Sequence, residues 1–204
     1  FALLVPQRKD LAWALTRLLA HGTEITGLSD HVVSEAIYVS DPDGNGIEIC
    51  CDRPREQWCH ENGQIHMATH PLVVDGLLSE LDREDAKETK WPLDTSLGHV
   101  HLCVPDLYAA EEFYCNVLGF DLVLRHDAGA AFVSAGGYHH HIGLNTWRGT
   151  GAQPPPIGSV GLRWYTVCFP SFRALSGTVD RIRASGKHIE ERKEGLLVLD
   201  PAHN

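Results

Sequence analysis

Short stretches of this chain alternate apolar and polar positions, and helical stripes lie between them. Phe1–Val5 is an apolar run of strand length. In Gly46-Ile-Glu-Ile-Cys50, Ile47 and Ile49 take one face and Glu48 and Cys50 the other, because successive strand side chains point to opposite sides. The same rule puts Gly98, Val100, Leu102 and Val104 on an apolar face and His99, His101 and Cys103 opposite them. Leu11, Leu15, Leu18 and Leu19 fall on one helical stripe, as do Leu107, Ala110, Tyr114, Val117 and Leu118, and again Leu175, Val179 and Ile182. Gly22, Gly119 and Gly186 follow these stripes where a left-handed C-cap belongs. Strands are predicted at Ala36–Ser40, Asp121–Arg125, Ala130–Ser134 and His139–Trp147, with Gly136-Gly137 turning the chain before the last.

The pattern repeats. Pro6 and Gly22 recur 164 residues later as Pro170 and Gly186, and Asp41-Pro42 with Asn45 recurs 159 residues later as Asp200-Pro201 with Asn204. A third copy lies between them. The order predicted is the second β-α-β-β-β unit of an incomplete N-terminal domain at 1–52, a connector at 53–96 with one short helix near Asp75–Leu81 and a charged run Glu80–Lys90, and a C-terminal domain at 97–204. That domain comprises units 98–147 and 160–204, the last stopping before its final strand. The fold class is α+β.

Composition narrows the function. At 43% apolar and 22% charged residues the chain can bury a core. Its formal net charge of −10 shows no basic stripe, which argues against nucleic acid. No apolar run is long enough to span a membrane. The six cysteines form no CxxC pair or regular framework, so they read as free thiols in a reducing compartment, the cytoplasm.

Chemistry is sought among the histidines and acids. Glu48, an acid within an apolar strand, costs desolvation energy unless it is paired or metal-bound. His99 is a ligand candidate on its strand, whereas His101 reads as idle. His31 precedes the strand Ala36–Ser40, at the mouth of the same cup. His139-His-His141 is either a metal or aromatic-ligand site, sharing a face with Asn145 and Trp147, or the polar flank of a turn; both readings stay open. No phosphate loop, Rossmann fingerprint, nucleophile elbow or Cys/His zinc spacing occurs.

Asp41-Pro-Asp-Gly-Asn-Gly-Ile-Glu48 and Gly98-His-Val-His-Leu-Cys-Val104 with the helix to Phe120 resemble the vicinal oxygen chelate (glyoxalase/extradiol dioxygenase) superfamily. The stretches Ser29–Pro54 and Ser134–Trp147 are similar to the bacterial catechol-2,3-dioxygenase group. The resemblance implies βαβββ units paired into cupped mixed sheets, the glyoxalase/bleomycin-resistance-like fold. It also implies a metal held by two His and one Glu, with Fe(II) the expected ion and Mn or Zn as alternatives. Glu48 matches the glutamate, whose histidine partners would precede Phe1. His99 matches the first-strand histidine of a second cup built from units 98–147 and 160–204, where Gly143 replaces an acid and His141 is the substitute ligand. His31 matches the region of the acid/base histidine.

The implied activity is extradiol cleavage of a catechol-type diol with O2, in aromatic compound catabolism. The partners are a small aromatic substrate and O2, and a homo-oligomer is left open. The alternatives are another metal-dependent isomerase or lyase of the superfamily, or a non-catalytic protein that binds an aromatic ligand.

Overall fold

In the computed structural model, which describes residues 1–61, 63–82, 85, 90–156 and 158–204, the first repeat is built as β1 (Ala2–Leu4), α1 (Arg8–Ala20), β2 (Gly27–Asp30), β3 (Ser34–Ser40) and β4 (Gly46–Asp52). This is the β-α-β-β-β order that the hydrophobic pattern predicts. β1 runs parallel to β4, a pairing that requires a crossover, and α1 begins that crossover. β2, β3 and β4 are antiparallel neighbours, with Ile37 opposite Ile49 and Tyr38 opposite Glu48.

Strand parity then sorts the side chains. Val5, Ile37, Val39, Ile49 and Cys51 pack with Leu11 and Leu15 of α1. Each fully buried leucine contributes about 1.5–3 kcal/mol. Ala2, Ala36 and Cys50, with Leu4 and Tyr38, form the opposite face, which Glu48 shares. The helix ends as predicted, with Gly22 at φ 66.

Beyond β4 lie the short pair β5 (His60–Glu61) and β6 (Gln64–Ile65), then β7 (His70–Pro71), which adds to the edge of β2. The connector helix α2 spans Val74–Leu78, three residues short of the predicted end. Most of the charged run Glu80–Lys90 lies outside the described residues. β8 (Ser96–Cys103) pairs antiparallel with β1 through its first residues.

Two compact units are formed, Phe1–Val100 and His101–Asn204. The second contains the end of β8 and α3 (Leu107–Glu111), which continues as a π-helix through Glu112–Leu118. β9 (Asp121–His126), β10 (Ala130–Ser134) and β11 (Ile142–Asn145) follow, in the sheet order β8-β11-β10-β9. Asp106 caps α3 by accepting the Ala109 N–H, and Gly119 at φ 92 ends the π-helix. The helix α4 (Phe172–Ala184) lies against the π-helix, where Arg181 donates to the Val117 and Leu118 carbonyls. A two-stranded pair, β12 (Glu190–Arg192) and β13 (Gly195–Leu197), completes the unit.

The last repeat departs from expectation. Among the described residues no strand forms between Gly158 and Pro170, where the pattern places its first strand. Trp164 is 60% exposed there, so its apolar side chain lacks the cover that a strand of a cupped sheet would have. Its turn is nevertheless a close copy. Asp41 Oδ1 accepts the N–H groups of Asp43 and Asn45, and its Oδ2 accepts the Asn45 side-chain amide. Asp200 Oδ1 accepts the N–H groups of Ala202 and Asn204, and its Oδ2 accepts the Asn204 amide. Asp200 alone is buried, and its Oδ2 also accepts the Tyr114 hydroxyl at 3.0 Å.

Candidate functional site

The Asp41–Asn45 turn fixes the β3–β4 register, and with it the neighbours of Glu48. Closing the hairpin at Ser40 and Gly46 sets Tyr38 directly across from Glu48 on the same face. On the other side of β4, Glu48 is level with Ala2 of β1, and Ala2 is level with His99 of β8. Adjacent strands lie roughly 4.8 Å apart, so Glu48 and His99 are separated by about two such spacings. Two long side chains can meet across that gap only above a small residue, and Ala2, fully buried, is that residue. His99 Nε2 and Glu48 Oε2 are 3.0 Å apart. The resemblance assigns these two residues to separate cups; strand β8, by pairing with β1, brings them together in the Phe1–Val100 unit.

Burial pushes the Glu48 carboxyl up, but the bond to His99 and the charges of His99 and His31, with a hydrogen bond from Tyr38, hold it below the ordinary carboxylate range. Burial and the Glu48 charge push the Tyr38 hydroxyl well above its ordinary value, so it stays a neutral phenol.

His31 extends the set. Its Nε2 lies 2.8 Å from the Tyr38 hydroxyl, and its Nδ1 lies 3.1 Å from the Ala68 carbonyl. The carbonyl can only accept, so Nδ1 carries a hydrogen. When Tyr38 directs its hydrogen to Nε2, His31 is a neutral ring. When Tyr38 directs it to Glu48, Nε2 must donate to the hydroxyl and the ring is an imidazolium. The Tyr38 hydroxyl thus bridges His31 and Glu48, and His99 lies on the far side of Glu48.

Glu48 and His99 could hold a divalent metal. One half-buried carboxylate and one buried imidazole, on the same face, are donors of the right kind for Fe(II), Mn(II) or Zn(II). They would make two of the three protein donors that a facial triad needs, and among the described residues no set of three His, Cys, Asp or Glu converges.

The predicted strand His139–Trp147 is shortened to Ile142–Asn145, so the face shared by His139 and His141 does not exist. Gly136 and Gly137, at φ 67 and 68, curl the chain before it. The Tyr138 ring lies 4.1 Å from that of His139 and 4.8 Å from that of His141. His141 Nδ1 accepts the Ala135 N–H at 3.2 Å. It belongs to the His101–Asn204 unit, whereas Glu48 and His99 belong to Phe1–Val100. In that second unit, a side chain at Gly143 would meet the His101 ring within 3.0–3.1 Å, so the His101 ring occupies that space. The His101 ring lies 5.1 Å from that of Trp147 and 6.1 Å from that of Phe132.

Sequence reasoning missed Tyr38. The signal was available, because counting back from the Asp41–Asn45 turn pairs Tyr38 with Glu48. Ala2 was also missed, since only the β1–β8 pairing shows its role.

Comparison with known proteins adds to this. The model of the Glyoxalase/Bleomycin resistance protein/Dioxygenase superfamily matches residues 96–195. A protein of Bacillus subtilis (strain 168) named catechol-2,3-dioxygenase is 49% identical over 203 residues, covering 98% of this chain and 70% of that protein. The crystal structure of a putative dioxygenase from Bacillus subtilis superposes with a TM-score of 0.60 at 14% identity, over 99% of this chain and 58% of that one. That likeness shows the fold. The chain spans 58% of the length of that structure.

Proposed function

The chain belongs to the Glyoxalase/Bleomycin resistance protein/Dioxygenase superfamily, and from that premise we propose that it is part of a metal-dependent extradiol dioxygenase that cleaves a catechol-type aromatic diol with O2. The observation that carries this reading is the contact between the half-buried Glu48 and the buried His99, with the His31–Tyr38 pair attached to it. The name of the Bacillus subtilis relative agrees with it.

In this reading Glu48 and His99 are metal ligands, and Fe(II) is the metal. A bound Fe(II) supplies Lewis acidity toward vicinal oxygens and the capacity for oxygen chemistry. The chain's own residues handle the proton. A catechol must lose hydroxyl protons to bind as a chelate, and His31 Nε2, relayed by Tyr38, is the group placed to receive one. Ala68 and Thr69 hold the other side of the ring, with Thr69 Oγ1 3.3 Å from Nδ1. The six cysteines are unpaired as disulfides, which suits a reducing compartment such as the cytoplasm.

The test is anaerobic loading of the whole protein with Fe(II), followed by catechol and air. A yellow ring-cleavage product is expected. Iron bound at full occupancy with no colour would sink the dioxygenase reading.

A further inference from the structure

Among the described residues two that are not glycine adopt a left-handed backbone, Val32 at φ 71 and His203 at φ 64. Val32 is the costly one, because a β-branched side chain crowds the backbone in that region. Strain of this kind persists only where the surroundings enforce it, and it concentrates at functional turns. Val32 immediately follows His31.

The enforcing groups are Asp30 and Arg53. Asp30 Oδ1 accepts the Val32 N–H at 2.9 Å. Arg53 donates from Nη1 to Asp30 Oδ1 at 2.7 Å and to the Val32 carbonyl at 3.1 Å. Its Nη2 donates to Asp30 Oδ2 at 2.9 Å. The Arg53 backbone N–H donates to the Val33 carbonyl, and the His31 N–H to the Ser34 carbonyl, both at 2.8 Å. Arg53 is itself fixed from behind. Its Nη2 lies 3.4 Å from Glu35 Oε1, and the buried Glu35 also takes both Nε and Nη2 of Arg8. One guanidinium therefore grips both sides of the strained residue.

We infer that Asp30 and Arg53 are positioning residues, which hold the turn at Val32 in its left-handed form and thereby aim the His31 ring at the Tyr38 hydroxyl. The inference rests on the reading of His31 as the proton-relay group. Two side-chain torsions separate that ring from the turn, so a change at Val32 displaces Nε2 from a contact of 2.8 Å. A misplacement of about 1 Å can cost on the order of a hundredfold in rate.

The experiment uses the whole protein, with catechol as probe substrate after Fe(II) loading and with imidazole NMR on the Zn(II)-loaded form. Arg53→Met is expected to move the His31 ring resonances toward those of exposed histidine. It is expected to lower kcat about 10- to 100-fold, with KM within roughly threefold and iron content unchanged. A glycine adopts φ 71 without strain. The double variant Val32→Gly/Arg53→Met should therefore recover most of the lost kcat and of the His31 signal, which a merely stabilising salt bridge would not do. If Arg53→Met does not fold, Arg53→Lys, which keeps the charge and loses the fork, takes its place in both arms. Unmoved His31 resonances in the Arg53 variant, or a double variant as impaired as the single one, would overturn the inference. His31→Gln separates the two readings. If it keeps full kcat, the relay role falls, and the resonance shift still decides the clamp.

Discussion

Glu48 and His99 lie on strands that are not neighbours, yet their side chains meet at 3.0 Å over Ala2, the residue between them. A ligand pair built this way depends as much on the absence of a side chain at position 2 as on the two ligands. Ala2→Leu should therefore separate the pair. Overpacking of a filled site costs about 1–3 kcal/mol. A fall in thermal midpoint, together with a loss of divalent-metal affinity in titration, is the expected result. Unchanged metal affinity in a folded variant would count against the pair as a site.

Glu48→Gln keeps a hydrogen-bonding oxygen in place and removes the charge. Since the carboxylate is held ionised by His99, His31 and Tyr38, its charge is available to a cation. Even supporting residues of a metal site typically cost about 10- to 100-fold in affinity when changed, and a ligand should cost at least that. Calorimetric titration of the variant with Mn(II) or Zn(II) measures it directly. Retention of wild-type affinity would remove Glu48 from the ligand set.

Tyr38→Phe breaks the relay while leaving the ring in place. General acid–base groups contribute about 10²–10⁴-fold to rate, and loss of the hydroxyl should lower kcat within that range. The lost hydrogen bonds cost about 1 kcal/mol of stability. Steady-state kinetics and denaturant unfolding on the same preparation separate the two effects. A variant with normal kcat would show that His31 acts without Tyr38.

The Asp30–Arg53 pair makes stability depend on acid. The Arg53 hydrogen bonds hold the Asp30 carboxyl below its ordinary value, against the opposing effect of burial, with help from the Val32 N–H. A depressed folded-state value means the contribution is complete above the unfolded carboxylate value of about 3.9 and is lost as pH falls through the lower folded value. Asp30→Asn should therefore lower stability at neutral pH and flatten the decline of the thermal midpoint below about pH 4. Parallel acid limbs in the two proteins would rule this out.

Asp41 and Asp200 make the same turn with unequal consequences. Asp200 also receives the Tyr114 hydroxyl, and Tyr165 donates to Tyr114 at 2.9 Å. Removing Asp200 leaves a buried phenol short of its acceptor, a loss of about 1–3 kcal/mol. Asp200→Ala should thus lower the unfolding midpoint by more than Asp41→Ala does. An equal effect would mean the Tyr114 bond contributes nothing.

Most of the first and middle repeats was legible in the sequence because their determinants are local. Parity alone separated Ile47 and Ile49 from Glu48 and Cys50, and the glycines at 22, 119 and 186 marked helix ends. What was not legible came from long-range pairing or from backbone curvature. Whether Glu48 and His99 meet depends on β8 choosing β1 as its neighbour, which no short window records. The start of the strand beside His141 was misplaced because Gly136 and Gly137 take positive φ in succession, and the strand starts three residues later than the alternation suggests. The Val32 strain is invisible to pattern reading, since a valine beside a valine reads as ordinary strand.

The five-residue turn that starts at Asp41 and again at Asp200 is closed by its own bonds, through one carboxylate and the amides two and four positions on, and only the second copy adds an outside bond, from Tyr114. Between the helix-end glycine and this turn, the two copies differ in length by five residues, the difference between offsets of 164 and 159. A turn that carries its own bonds can be moved along a lineage without renegotiating contacts with its surroundings. Insertions and deletions can therefore accumulate in the segment ahead of it, while the strand pairing it seeds, Tyr38 with Glu48 in the first copy, stays in phase. Repeats descended from one ancestor could in this way diverge in size and keep the chemistry that depends on that phase.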